Sequence, residues 1–111
     1  MSLPEEIDCQ TLKKMMDAGG DAKPVVVDVR HGQELLIAPF PGATAIPLHE
    51  LAERSDELLS FKGRPVVMVC HMGMRSRAAA AFAREKGLDA TSLAGGIEAW
   101  ACEIDPTVPR Y

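Results

Sequence analysis

At 111 residues, with 47% hydrophobic and 25% charged side chains, the chain has the size and composition of one soluble globular domain, read as spanning residues 1–111. Against 12 basic residues stand 16 acidic ones, and the net charge of −4 argues against a nucleic-acid footprint or an anionic-membrane surface. No apolar stretch approaches the ~20 residues of a membrane span, and Glu5, Glu6 and Asp8 stand where a targeting segment would be basic and then apolar, so a cytoplasmic protein is expected.

In chain order, the apolar positions Ile7, Leu12, Met15 and Met16 predict a helix from about Pro4 to Ala18, stopped by Gly19-Gly20. The run Pro24 to Arg30 reads as a strand buried on both faces, because its valines follow one another without polar alternation. A short helix from Gly32 to Ile37 ends at the turn Pro39-Phe40-Pro41-Gly42, and Ala43 to Ile46 forms a short strand. Pro47 suits the first turn of a helix reaching Leu59, with Leu48, Leu51, Leu58 and Leu59 inward.

Gly63 and Pro65 open a strand at Val66–Val69, an alanine-rich helix runs from about Ser76 to Lys86, and a weak strand near Ala90–Leu93 leads through Gly95-Gly96 to a last helix carrying Ile97 and Trp100. Apolar strands alternating with helices predict an α/β fold with a central parallel sheet of about five strands and helices on both faces. Ligands of such sheets gather at the carboxyl ends of the strands. Asp28 and Arg30 finish one strand and Cys70 another, so these groups are expected on one rim.

Cys70 is the residue to explain first, since it stands where a buried strand ends and a helix is about to begin. Backbone N–H groups in a short glycine-containing turn, with the positive end of a following helix, favour an anion and can turn a thiol into a nucleophile. Arg75 and Arg77 fall at the helix start, where cations oppose the dipole by about 0.3–1 kcal/mol each unless something negative faces them. The bland alternative is a small apolar cysteine packed at the sheet end. Cys9, Cys70 and Cys102 are an odd count without a C-x-x-C pair, which fits free thiols. His31, His49 and His71 lack ligand spacing, so no metal site is expected.

Four segments in order, Val27-Asp28-Val29-Arg30, Pro41-Gly42-Ala43 with Ile46-Pro47, Cys70 to Ser76, and Leu93-Ala94-Gly95-Gly96-Ile97-Glu98-Ala99-Trp100, resemble a rhodanese-like, sulfurtransferase-type protein over nearly the whole length. The resemblance implies a catalytic Cys70 that attacks a sulfane sulfur, as in thiosulfate, and hands it as a persulfide to cyanide or to a low-molecular-weight or protein thiol, with no cofactor. It implies that His71, Met72, Gly73, Met74, Arg75 and Ser76 form the loop that cradles the sulfur. A thiolate is the required nucleophile for such chemistry, and amide donors stabilise both thiolate and persulfide.

Within this reading Arg75 binds an anionic donor or steadies the sulfur, its alternative being a surface salt bridge. Asp28 orients Arg75, accepts loop hydrogen bonds or caps the strand end, and Arg30 pairs with Glu34 as a structural clamp. His71 contributes its amide rather than a proton-transfer group, Gly73 turns the loop, and Met72 and Met74 either line the pocket mouth or fill gaps. Trp100 is read as core, and Cys102 as incidental rather than a second thiol. Many family members carry Gly-His-Ile before the Pro-Gly-Ala turn, where this chain has Ala38-Pro39-Phe40, so an altered loop surface is expected there.

A phosphatase or arsenate reductase also places cysteine and arginine around an anion loop, but four residues separate Cys70 from Arg75, one fewer than in that signature, and the tighter cradle suits a sulfur atom better than a tetrahedral phosphate. Two further alternatives are a sulfur relay to a protein thiol and a regulatory binding module, the latter disfavoured by the intact Cys70, Gly73 and Arg75.

Overall fold

Valines in unbroken runs need cover on both sides, and the chain provides it. In the computed structural model, which describes residues 2–20 and 23–111, five parallel strands form one sheet in the order β1-β5-β4-β2-β3. The strands are β1 (Glu6–Ile7), β2 (Val25–Asp28), β3 (Thr44–Ala45), β4 (Val66–Val69) and β5 (Ala90–Leu93). The helices are α1 (Cys9–Ala18), α2 (Gly32–Ile37), α3 (Ser55–Leu59), α4 (Met74–Glu85) and α5 (Gly96–Glu103). The expected parallel α/β architecture is therefore present.

Alternation along the strands divides the core in two. Val25, Val27, Val66 and Met68 pack with Leu51, Leu58, Ala79, Ala80 and Ala83, so α3 and α4 cover one face. Val26, Val67, Val69 and Leu93 pack with Leu12, Ile97, Trp100 and Ala101, so α1 and α5 cover the other. The alanines of α4 let it lie close to the sheet, and Trp100 is core, packed against Phe40 at a ring separation of 5.0 Å.

Two helix expectations need correction. The first helix begins at Cys9, not near Pro4, because Asp8 caps it by accepting from the Thr11 amide at 2.8 Å, and Glu6–Ile7 pair with Ser92–Leu93 as a short strand. Ile7 owes its burial to that strand. The segment after Pro47 is not one helix to Leu59. A single 3-10 turn, Leu48–Glu50, passes through irregular turns into α3, with Leu51 and Leu58 buried but Leu48 and Leu59 only half-buried. Smaller differences trim the second strand to Val25–Asp28 and start the alanine-rich helix two residues earlier, at Met74.

Register sets the rim. Asp28 pairs with Val69 across β2 and β4, so Cys70, the next residue after β4, emerges level with the Asp28–Arg30 turn. No helix among the described residues is long and apolar enough to cross a membrane.

Candidate active site

Cys70 is 1% exposed, and its sulfur lies inside a ring of donors. The amides of Gly73 and Ser76 donate to Sγ at 3.1 and 3.3 Å, and Sγ meets the Ser76 hydroxyl at 3.4 Å. Gly73 makes this possible by adopting φ +104°, a left-handed conformation that carries the chain from the strand end directly into α4. The sulfur is thereby held at the start of α4, where first-turn amides lack acceptors within the helix and the dipole is positive.

A second helix end holds the loop from behind. At the start of α5 the amide of Ile97 donates to the Cys70 carbonyl at 2.8 Å and that of Glu98 to the His71 carbonyl at 3.0 Å. Gly96 permits the approach: it sits at φ +61°, and a Cβ there would collide with both carbonyl groups. The sulfur thus faces one helix N-terminus while its backbone carbonyl faces another.

Ser76 is fully buried and links the sulfur to the sheet. Its hydroxyl donates to the Gly73 carbonyl at 3.1 Å and lies 2.6 Å from the Ser92 hydroxyl on β5. One hydroxyl hydrogen serves one acceptor at a time, so with Gly73 engaged the Ser92 hydroxyl is the donor of that pair. Ser92 was not legible as a site neighbour, since sixteen residues separate it from Ser76 and β5 carries no motif of its own at that position.

The charged residues pair differently from expectation. Arg75 donates both terminal nitrogens to Glu34 on α2, at 2.5 and 2.8 Å, so Glu34 supplies the negative charge that an arginine at a helix start requires. Arg30, expected to clamp Glu34, turns instead to Asp28, which accepts from its backbone amide, Nε and Nη2 at 3.1, 3.0 and 2.7 Å. Asp28 consequently does not orient Arg75. Arg30 also reaches the Ala38 carbonyl at 2.5 Å, pinning the end of α2 through a backbone group that any residue would offer. Both members of the Asp28–Arg30 pair are buried, at 1% and 0% exposure.

The Arg75 fork, helped by the Tyr111 hydroxyl, draws the Glu34 carboxyl down to about 2 despite its partial burial. At Cys9, burial with Glu103 nearby pushes the thiol up to about 11, as for an inert core cysteine.

Met72 and Met74 are exposed and flank the loop, which excludes gap-filling for both. The His71 ring stacks on that of Tyr111 at 3.9 Å, and its Nε2 is buried without a hydrogen-bond partner among the described residues. The amides on Sγ are those of Gly73 and Ser76 rather than that of His71. Cys102 is exposed on α5, 3.7 Å from a Glu98 carboxylate oxygen. Among the described residues no group of three or more His, Cys, Asp and Glu is placed to hold a metal ion.

The rhodanese-like domain family model matches residues 8–103. An adenylyltransferase and sulfurtransferase, MOCS3, of Oryza sativa subsp. japonica is 36% identical over an alignment covering 98% of this chain and 27% of the relative. This chain spans about a quarter of the length of that protein and of its MOCS3 counterparts from Zea mays. Among solved structures, a rhodanese-related protein of Thermoplasma volcanium superposes with a TM-score of 0.78 at 28% identity, covering 96% of each chain. A rhodanese-like domain protein of Staphylococcus aureus gives 0.78 at 27% identity, covering 97% of this chain and 99% of that one. The family model and the relatives together place the chain in the rhodanese-like domain family.

Proposed function

We propose that the protein is a sulfurtransferase that carries a sulfane sulfur as a Cys70 persulfide. The observation that carries this reading is the pair of backbone amides, those of Gly73 and Ser76, that donate to one Sγ, with the Ser76 hydroxyl oxygen 3.4 Å from the same sulfur. Such a pair favours negative charge on Sγ, which the attacking thiolate carries and which returns there when an acceptor takes the outer sulfur.

In the first step the Cys70 thiolate attacks the outer sulfur of thiosulfate or a similar donor. A new S–S bond forms, the old one breaks, and sulfite leaves with its electron pair. The Ser76 hydroxyl can rotate its proton from the Gly73 carbonyl to the anionic sulfur, adding a donor when charge is present. Arg75 lends positive charge to the approach of an anionic donor, tempered by Glu34.

In the second step an acceptor nucleophile, a thiolate or cyanide, attacks the outer sulfur and the Cys70 thiolate is released. No external oxidant or reductant is needed. The exposed side chains of Met72 and Met74 give the rim an apolar character that suits an organic or protein thiol. The relationship to the MOCS3 proteins, whose names join adenylyltransferase and sulfurtransferase, supports sulfur transfer generally.

The test is intact-protein mass spectrometry after thiosulfate and gel filtration, for wild type and Cys70→Ser. A gain of about 32 Da that requires Cys70 and disappears with cyanide or a thiol supports the cycle. A wild-type protein with alkylatable Cys70 and no mass gain from thiosulfate or an organic persulfide sinks it and moves aryl phosphate hydrolysis to the next assay.

A further inference from the structure

After α5 the chain turns at Asp105–Thr107, buries Val108 among the core residues that include Ile7, Leu12 and Trp100, and then returns to the rim beside Cys70. Arg110 engages α5, which backs the loop, and Tyr111 engages the loop itself. The Arg110 guanidinium holds Glu98 on α5 through two bonds, at 2.9 and 2.6 Å. The Tyr111 ring lies on His71, the neighbour of Cys70, with the planes only 12° apart. Its hydroxyl donates to Glu34 at 2.7 Å and accepts from Arg30 at 3.0 Å.

We propose that Arg110 and Tyr111 form a clasp over the rim of the cysteine loop, and that its opening determines which acceptors reach Cys70, excluding bulky ones most strongly. The inference rests on the sulfurtransferase reading for the word acceptor, but the access it describes does not. Three observations converge on it. Cys70 is nearly inaccessible although its loop ends a strand at the sheet rim. An open depression of about 380 Å³ beside the loop is lined by His71, Met72, Glu98, Arg110 and Tyr111, so both clasp residues border it. The stack over His71 accompanies a buried, unpaired Nε2, a cost of the closed form that opening to water relieves.

The clasp is built to open. In the Arg110–Glu98 pair the guanidinium side is 65% exposed and the carboxylate side half-buried, and a pair open to water on one side is screened and holds weakly. Val108 is buried and anchors the segment, so Arg110 and Tyr111 can swing away from the loop while the anchor stays in the core. A large reagent requires the open form, and its rate scales with the open fraction, whereas a smaller one needs less displacement.

The experiment measures Cys70 modification by site-resolved mass spectrometry, with Cys102 and Cys9 as exposed and buried references. Wild type, Tyr111→Ala, Tyr111→Phe and Arg110→Ala are treated with iodoacetamide and with a polyethylene-glycol maleimide. Tyr111→Ala is expected to raise the maleimide rate at Cys70 by about five- to tenfold and the iodoacetamide rate by about twofold. Tyr111→Phe keeps the stack and gains less, and Arg110→Ala opens the other jaw, so it carries the test if Tyr111→Ala unfolds. Rates that do not change, or that rise equally for both reagents, overturn the proposal. The readout needs no sulfur transfer: a normal alkylation pattern without a persulfide gain would sink the sulfurtransferase reading and leave the clasp standing.

Discussion

Arg75 and Glu34 face each other as a two-pronged ion pair across forty-one residues of sequence, at 2.5 and 2.8 Å, with Arg75 in the first turn of the helix that follows Cys70. The guanidinium stands beside the loop with its charge partly answered, close enough for the Cys70 sulfur and the Tyr111 oxygen both to act on it electrostatically. Arg75→Ala should therefore slow Cys70 persulfide formation from thiosulfate by about 10- to 100-fold, a range typical of losing a charged stabilising donor. Alkylation of Cys70 by neutral iodoacetamide, compared at a pH where the thiol is ionised in both proteins, should change by less than about threefold, because a neutral reagent gains nothing from a cation. Equal losses with both reagents would show that Arg75 only shapes the loop.

The same pair makes stability depend on pH. Glu34 titrates at about 2 in the folded protein against 4.5 ordinarily, so its folded value is depressed. Its contribution is complete above about pH 4.5 and drains away as pH falls toward about 2, the unfolded chain binding the proton first. Urea midpoints measured from pH 6 to pH 2 should fall less steeply in Glu34→Gln than in wild type over that window. Parallel curves would mean that Glu34 gains no net stabilisation from Arg75.

The sheet and its rim were legible because they rest on local signals. Unbroken valines mark strands covered twice, Gly95-Gly96 marks a helix start, and Cys70 with Gly73 marks a strand-to-helix turn. Ion-pair partners were harder to read. Arg30 and Glu34 are spaced for a pair within a helix, yet Arg30 precedes α2 and Asp28 lies on the same turn of chain, so the nearer carboxylate takes the guanidinium. Glu34, Ser92 and Tyr111 reach the site across long sequence separations, which periodicity does not report. Ile7 looked helical because one apolar residue fits either period, and only its pairing with Leu93 distinguishes them.

Asp28 and Arg30 are both buried, and removing one strands the charge of the other. Arg30→Met should lower unfolding free energy by about 3–5 kcal/mol, since the Asp28 carboxylate loses its main donors. Asp28→Leu combined with Arg30→Met should cost clearly less than the sum of the single changes, because no unpaired charge remains. Urea denaturation of the four proteins checks this, and strict additivity would deny that the two residues act as a pair.

Ser76 and Ser92 separate stability from chemistry. Their hydroxyls share one buried hydrogen bond, 2.6 Å long, but of the two only Ser76 touches the Cys70 sulfur. Either alanine variant leaves a buried hydroxyl short of a partner, so each should lower stability by about 1–2 kcal/mol. Ser76→Ala also removes a donor that can follow the charge on sulfur, and it should slow persulfide formation by about tenfold, with Ser92→Ala staying within about threefold of wild type. The decisive comparison is the rate at equal folded fraction. If both variants are slowed alike, the hydroxyl pair acts by holding the loop in shape; if Ser76→Ala alone is slowed, its oxygen takes part in stabilising the sulfur anion.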